Sequence, residues 1–517
     1  MPRNRIVEDI ERRGQATPSI TPTAPPRQLP ATDILCSRDL FLVFIPFCVV
    51  GYFSFLTRNY QLDDALIYLR YVKNFHEGFG LVYNPGEKFN GLTSPLFTYI
   101  SLASSFLFRD LQINTIIISS LFFACASILG AKIFSVGTWE TLFTAVVIGS
   151  FGYFYSTFGM ETPLFLMLIA LSLYLYKIES QYFLIALALL IITRFEGVFL
   201  AAVITADYLI RNRKLPSTKI LASALIVLLL PFIFNYFYYG DFLPATASAK
   251  IGQGRSGFWE GNYRFVNFTR LIETYFSNDR MSAFFFVIAS AYGVIVSLKD
   301  RIAIVSITFF STLLGFYVFL KLPNYPWYYA PFFYLMLIFA CLGVSRLSKR
   351  LLSREKFNFR VLIFLGLCSA TVFTLTNVVS FKERGRIEAY ARIGSWIEKN
   401  TAPNASIAMV EIGTVGWYAN RNIIDILGLV SKHNADYISN GNQFAWLSQY
   451  QPDYILSHDP IWRFERFTKI LEQNAAYAPM QEFNFPGYVL LRKTDKYSDI
   501  EIADHFREIS AKQFAAP

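Results

Sequence analysis

The chain has 517 residues, 54% hydrophobic, 17% aromatic and 16% charged, with a formal net charge of +10. Soluble domains carry about 25% charge, so this balance excludes a disordered chain, a fibrous repeat and an ordinary cytosolic enzyme. The Lys and Arg excess lies in short loops between apolar runs, which reads as membrane orientation rather than nucleic-acid binding.

Residues 1–38 are polar and Pro-rich and read as a disordered cytoplasmic leader. The first apolar run, 40–56, follows Arg38 without a small-residue cleavage pattern, as in an uncleaved signal anchor with its N-terminus inside. Cys36 precedes that run, and Cys48, Cys125, Cys341 and Cys368 lie within runs. None has metal or redox spacing, and the four His are scattered.

An outer loop, 57–92, comes next and opens on Asp63-Asp64. Apolar residues at 66, 69 and 72 predict a helix lying along the interface, with the two acids at its N-terminus, where the helix dipole favours carboxylates. Such a pair suits a general base or a divalent cation such as Mg or Mn. Arg70 and Lys73, two turns on, suit a phosphate. The plainer reading of all four is an amphipathic helix with solvated charges.

Further apolar runs fall near 93–108, 112–134, 140–157, 163–176, 182–210, 220–239, 283–298, 302–320, 329–345 and 361–379. The segment 346–360 holds six Lys/Arg against one Glu and marks the cytoplasmic side, as do Arg211, Arg213, Lys214 and Lys219. The outer loop 240–282 then carries Lys250 and Arg255, and Lys321–Tyr329 is a short aromatic outer loop with Trp327 and Tyr328 available to stack on a sugar. Two topologies fit, each with about eleven crossings. Either 93–108 crosses and 182–210 is one span that buries Arg194 and Glu196 at mid-bilayer, at a cost of several kcal/mol unless they are paired. Or 93–108 dips in and 182–210 breaks at Thr193-Arg194-Phe195-Glu196-Gly197. The second is preferred, and it brings Glu161, Arg194 and Glu196 to the outer face. The remainder, 381–517, alternates like a small soluble α/β domain, with strands near 406–411, 422–426, 452–456 and 487–492 and helices near 386–400 and 462–474.

The longer strings carry a resemblance. Asp63-Asp64 followed by Arg70-x-x-x-Asn74, Gly78-x-Gly80-Leu-Val-x-Asn84-Pro85-Gly86-Glu87 and Gly91-x-Thr93-Ser94-Pro95-Leu96 resembles the GT-C superfamily of polytopic glycosyltransferases, and within it the mycobacterial terminal arabinofuranosyltransferases and their bacterial relatives. Gly159-Met160-Glu161-Thr162, the 193–197 turn, Tyr238-Tyr239-Gly240-x-x-Leu243-Pro244 with Ala249-Lys250, and Asp425-x-x-Gly428-Leu429 are similar to further motifs of that family. The resemblance implies a GT-C transmembrane catalytic domain over 39–380 and an extracytoplasmic α/β domain over 381–517. It implies an inverting transfer of one sugar from a polyprenyl-phosphate donor to an envelope glycan, lipid or protein at the outer face of a bacterial inner membrane. A first-loop aspartate is then the base, Asp63 being favoured, with Asp64 orienting it or sharing a metal. Arg70, Lys73, Glu161, Arg194, Glu196, Lys250 and Arg255 are candidates for the donor's phosphate and sugar, and Trp327 and Tyr328 for the acceptor. The alternatives are an oligosaccharide ligase or polymerase using a diphosphate-linked donor, a transporter or flippase of lipid-linked sugars, and a catalytically inert glycan-binding anchor.

Overall fold

A computed structural model describes residues 37–60, 62–135, 137–244, 246, 249–250, 253, 265–266, 280–351, 384–431, 433–439, 445–462 and 465–498. The chain divides into the units Met1–Leu40 and Phe41–Pro517. Of the first, the description covers only the opening of helix α1, and everything below concerns the second. The leader, the run 361–379 and Arg255 lie outside the described residues.

In chain order the helices are α1 (Ser37–Thr57), α2 (Asp63–His76), α3 (Pro95–Ser105), α4 (Leu111–Phe134), α5 (Thr138–Ser150), α6 (Thr162–Lys177), α7 (Phe183–Thr193), α8 (Gly197–Asn212), α9 (Thr218–Tyr239), α10 (Arg280–Ser297), α11 (Arg301–Phe319) and α12 (Pro326–Leu351). Among the described residues, five segments, in α1, α4, α9, α11 and α12, are long and apolar enough to cross a membrane by length and composition. Shorter apolar helices are 162–177, 183–193 and 284–297. Small residues let backbones approach closely. A Cβ on Gly293 of α10 would overlap the Phe339 carbonyl of α12, and one on Gly343 would stand 2.5 Å from the Ala289 carbonyl oxygen.

Two departures from regular spans shape the site. Helix α3 has 11 residues, about 16 Å at 1.5 Å per residue, short of the ~30 Å hydrocarbon core. The 182–210 run is two helices, α7 and α8, and the chain is extended at Arg194 (φ −151°) between them. Gly197 starts α8 so near α7 that a Cβ would stand 2.8 Å from the Leu190 side chain. The break at 193–197 is therefore tight and specific.

The tail begins with α13 (Arg384–Asn400) and builds a five-stranded sheet from β1 (Ser406–Met409), β2 (Asn422–Asp425), β3 (Tyr454–His458), β4 (Tyr477–Pro479) and β5 (Tyr488–Lys493), in the order β2-β1-β3-β5-β4. Strands β1, β2 and β3 are parallel, whereas β5 is antiparallel to both β3 and β4. The four expected strands are present. β4 and the short helices α14 (Thr414–Ala419), α15 (Asn434–Ser439) and α16 (Ala445–Tyr450) join them, and α17 is Phe467–Gln473. Runs this short carry little periodicity, which explains their absence from a pattern-based reading.

Candidate active site

Helix α2 forms as its sequence suggests. Asp63 and Asp64 occupy its first turn and Lys73 and His76 its last, matching the macrodipole at both ends. Neighbouring helical residues project about 100° apart, so the adjacent acids part company. Asp64 lines a cavity of about 290 Å³. The Asp63 carboxylate turns to the tail, where Oδ2 accepts the Gly413 N–H at 3.0 Å and Oδ1 the Thr414 N–H at 2.6 Å.

The cavity is walled by α2, the loop before α3, the starts of α6 and α8, the end of α11 and the start of α12. Its floor is an ion network. Arg194 contacts Glu196 at 2.7 Å and Glu161 at 3.4 Å, with the Arg194 and Glu161 side chains each 5% exposed. The Tyr317 hydroxyl donates to Glu196 at 3.1 Å, and that of Tyr68 to Glu161 at 3.3 Å. A buried cation between two carboxylates and two phenols avoids the cost of an uncompensated charge at membrane depth. On another wall, the Lys250 ammonium lies 5.2 Å from the Trp327 ring centroid and 5.8 Å from those of Tyr325 and Tyr328. Tyr328 is shared with Arg194, whose guanidinium carbon is 5.4 Å from the centroid of the same ring. The Thr246 hydroxyl, buried on the cavity wall, has no partner among the described residues.

The charges act on one another. Burial pushes the Asp64 carboxyl above its ordinary 3.8; Lys250 opposes the rise, and Glu161 and Glu411 add to it. Burial and the nearby Glu411 push Asp63 up to about 7, against the Thr414 N–H. Both Asp63 oxygens accept backbone N–H groups, Lys250 already acts on the charge of Asp64, and among the described residues no three His, Cys, Asp or Glu side chains gather around a point that could hold an ion.

The expected site residues divide into two groups. Asp64, Glu161, Arg194, Glu196, Lys250, Trp327 and Tyr328 all line the one cavity. Arg70 and Lys73 do not. Arg70 is buried at the junction with the tail, donating from Nε to the Tyr83 carbonyl at 2.8 Å and from its two terminal nitrogens to the Gly416 and Arg421 carbonyls, each at 2.5 Å. Lys73 reaches Asn420 Oδ1 at 3.2 Å and Glu77 at 3.8 Å. Their assignment to donor phosphate is corrected accordingly: seven and ten residues from Asp63, they continue its face of the helix towards the tail. Asp425 is likewise a turn-former, accepting the N–H groups of Leu427 (2.8 Å), Val430 (3.0 Å) and Leu429, and that turn sets Leu429 on the cavity wall.

Tyr68 and Thr246 are cavity residues the sequence did not single out, and Thr93 and Leu429 are cavity residues that it quoted in motifs without giving them a role in the site. Tyr68 was within reach of pattern reasoning, since it lies one turn from Asp64 on the same face. Its hydroxyl is 2.6 Å from Thr93 Oγ1. Thr246 and Leu429 reach the site only through tertiary folding.

A family model described as a domain of unknown function (DUF8728) matches residues 379–503. A curated relative, the Terminal beta-(1->2)-arabinofuranosyltransferase of Corynebacterium glutamicum, is 30% identical over 147 residues; the match covers 26% of this chain and 21% of the relative's length. Among solved structures, ArnT from Cupriavidus metallidurans bound to undecaprenyl phosphate aligns with a TM-score of 0.58 at 12% identity, over 89% of this chain and 98% of its own. The same ArnT in the apo state aligns with a TM-score of 0.56 at 13% identity, over 88% and 98%. The chain shares the fold of ArnT.

Proposed function

We propose that the protein is a membrane glycosyltransferase that moves a single sugar from a polyprenyl-phosphate donor to a hydroxyl of an envelope glycan, lipid or protein, with Asp64 as general base. The observation that carries the reading is one cavity holding the Asp64 carboxylate, the buried Arg194, the half-buried Lys250 and a hydroxyl, that of Thr246, with no partner among the described residues. Asp64 takes the acceptor's hydroxyl proton as the oxygen attacks the anomeric carbon. The carbon–oxygen bond to the phosphate breaks on the opposite face, configuration inverts, and the polyprenyl phosphate departs with the electron pair. A phosphate leaves readily and needs its charge stabilised more than it needs a proton. Lys250 and Arg194 supply that charge, and Thr246 a hydrogen bond. Burial works against the Lys250 ammonium, but Tyr328 and Asp64 outweigh it and hold its pKa above the ordinary 10.5, so it stays charged. Trp327 and Tyr328 give the sugar a flat face.

A polyprenyl chain gains about 0.8 kcal/mol per buried CH₂, so the enzyme must meet its donor in the bilayer. The GT-C fold, and an ArnT structure described as bound to undecaprenyl phosphate, support this donor class. Helix α12 supports an outward-facing site: Trp327 and Tyr328 lie at its cavity end, and Arg346, Lys349 and Arg350 about 28–34 Å along its axis, on the side that basic residues mark as cytoplasmic.

The test is transfer by the purified protein in liposomes carrying radiolabelled polyprenyl-phosphate sugars. Asp64→Asn should cost at least about two orders of magnitude in turnover, since loss of a general base typically costs 10²–10⁴, with donor binding nearly unchanged. Near wild-type turnover from that variant would remove the assignment.

A further inference from the structure

The tail is not a loosely tethered module, because the catalytic loop is built into it. Both Asp63 oxygens are used on the backbone N–H groups of Gly413 and Thr414. Residue 413 has no room for a side chain: a Cβ would overlap the Asp63 carbonyl oxygen and stand 2.6 Å from Asp63 Oδ2. Two turns further along α2, Arg70 is anchored on the Gly416 and Arg421 carbonyls, and the terminal nitrogen that bonds Arg421 also reaches Asn84 Oδ1 at 3.2 Å. The loop after α2 is held as well. The Tyr83 hydroxyl donates to the Ile412 carbonyl at 2.6 Å, and the Asn84 side chain both donates to the Ile423 carbonyl at 2.8 Å and accepts its N–H at 3.1 Å. The tail then returns to the cavity at Leu429, whose carbonyl oxygen would be 2.7 Å from a Cβ on Gly91.

From this geometry we infer that Asp63 is a positioning residue for the transfer reaction. Its carboxylate clamps segment 412–414 to the first turn of α2, and the clamp fixes the direction of Asp64 and the distance of the Leu429 wall. The tail is thus part of the catalytic unit, and Asp63 never touches the substrate. The inference rests on the glycosyl-transfer reading of the same cavity.

Three variants separate the possibilities in the full-length protein. Asp63→Asn replaces one accepting oxygen with an N–H₂ group that faces a backbone N–H. Gly413→Ala breaks the same contact without touching a titratable group. Each should lower kcat by about 10²-fold, the scale of an ångström-sized misplacement, and the double variant should be little worse than either alone. Both should retain the acid limb of the pH–rate profile, because Asp64 is still present. Tethering the tail by a bismaleimide bridge between Lys73→Cys and Asn420→Cys, whose native side chains meet at 3.2 Å, should restore most of the rate to Asp63→Asn and none to Asp64→Asn. Wild-type turnover in untethered Asp63→Asn, or multiplicative losses in the double variant, overturns the positioning role. A tethered Asp63→Asn that folds and binds donor yet stays inactive makes Asp63 the base instead. If Asp64→Asn remains active while Asp63→Asn is rescued by the tether, the clamp stands and the base assignment falls.

Discussion

Asp63 and Asp64 are chemically identical and adjacent, yet they hold different environments, and the environment assigns their work. Asp63 donates its acceptor capacity to two backbone N–H groups. Asp64 keeps its oxygens towards the cavity, and burial raises its pKa above 3.8, with Lys250 limiting the rise. A base works best with a pKa nearer the operating pH. The acid limb of kcat/KM, which reports the free enzyme, should therefore lie above the ordinary carboxylate range; below that limb Asp64 is protonated and transfer falls away. A limb at the ordinary value, or one that persists in Asp64→Asn, would count against it. Lys250 and Arg194 divide similarly. Arg194 is committed to Glu161 and Glu196, whereas Lys250 rests on aromatic faces among the described contacts and is the cation better able to take on a phosphate.

At the level of elements, the junction between α2 and the segment after β1 is built from buried polar groups. His458, at the end of β3, has Nε2 3.3 Å from Glu411 and Nδ1 3.0 Å from Glu465, and its ring stacks on Trp462 with centroids 3.5 Å apart. Burial alone would lower its pKa, but the two glutamates outweigh it and raise it. Asp63 is raised from 3.8 to about 7 and Asp425 from 3.8 to about 6, chiefly by burial. All three groups hold their protons more tightly folded than unfolded. Their contribution is therefore fully present below the unfolded values and is lost as pH rises through the folded ones. Between pH 3.8 and about 7 the tail should become less protected, read as faster hydrogen exchange at the amides of β1 and β2 in the full-length protein, with a shallower slope in Asp63→Asn. A tail whose protection climbs across that window would contradict the linkage.

Across the whole molecule, short helices determine where the chemistry sits. With 11 residues each, α3 and α7 reach about 16 Å, so the α7–α8 corner and its Arg194 network stop short of a full crossing. If basic residues mark the cytoplasm, Phe79, which is 53% exposed in the first outer loop, and Leu215, 76% exposed beyond α8, lie on opposite faces. In intact cells a membrane-impermeant maleimide should label Phe79→Cys and leave Leu215→Cys unlabelled until the membrane is opened. The reverse pattern would put the cavity on the cytoplasmic side.

What the chain determines on its own is local and periodic. Apolar runs measured against bilayer thickness located the long apolar helices and the break in the 182–210 run, and the acid pair fell at a helix start, because hydrophobic length and helix dipoles act within a single element. The first-loop string pointed to the GT-C fold for the same reason: its glycines, prolines and acids are close in sequence. The choice between two neighbouring aspartates was not of that kind. It depended on Gly413 and Thr414, 350 and more positions away, arriving at one face of α2 and leaving the other to the cavity. The same long-range packing took Arg70 and Lys73 out of the site and brought Thr246 and Leu429 into it, since a side chain's partners are fixed by which distant backbone fills the space beside it.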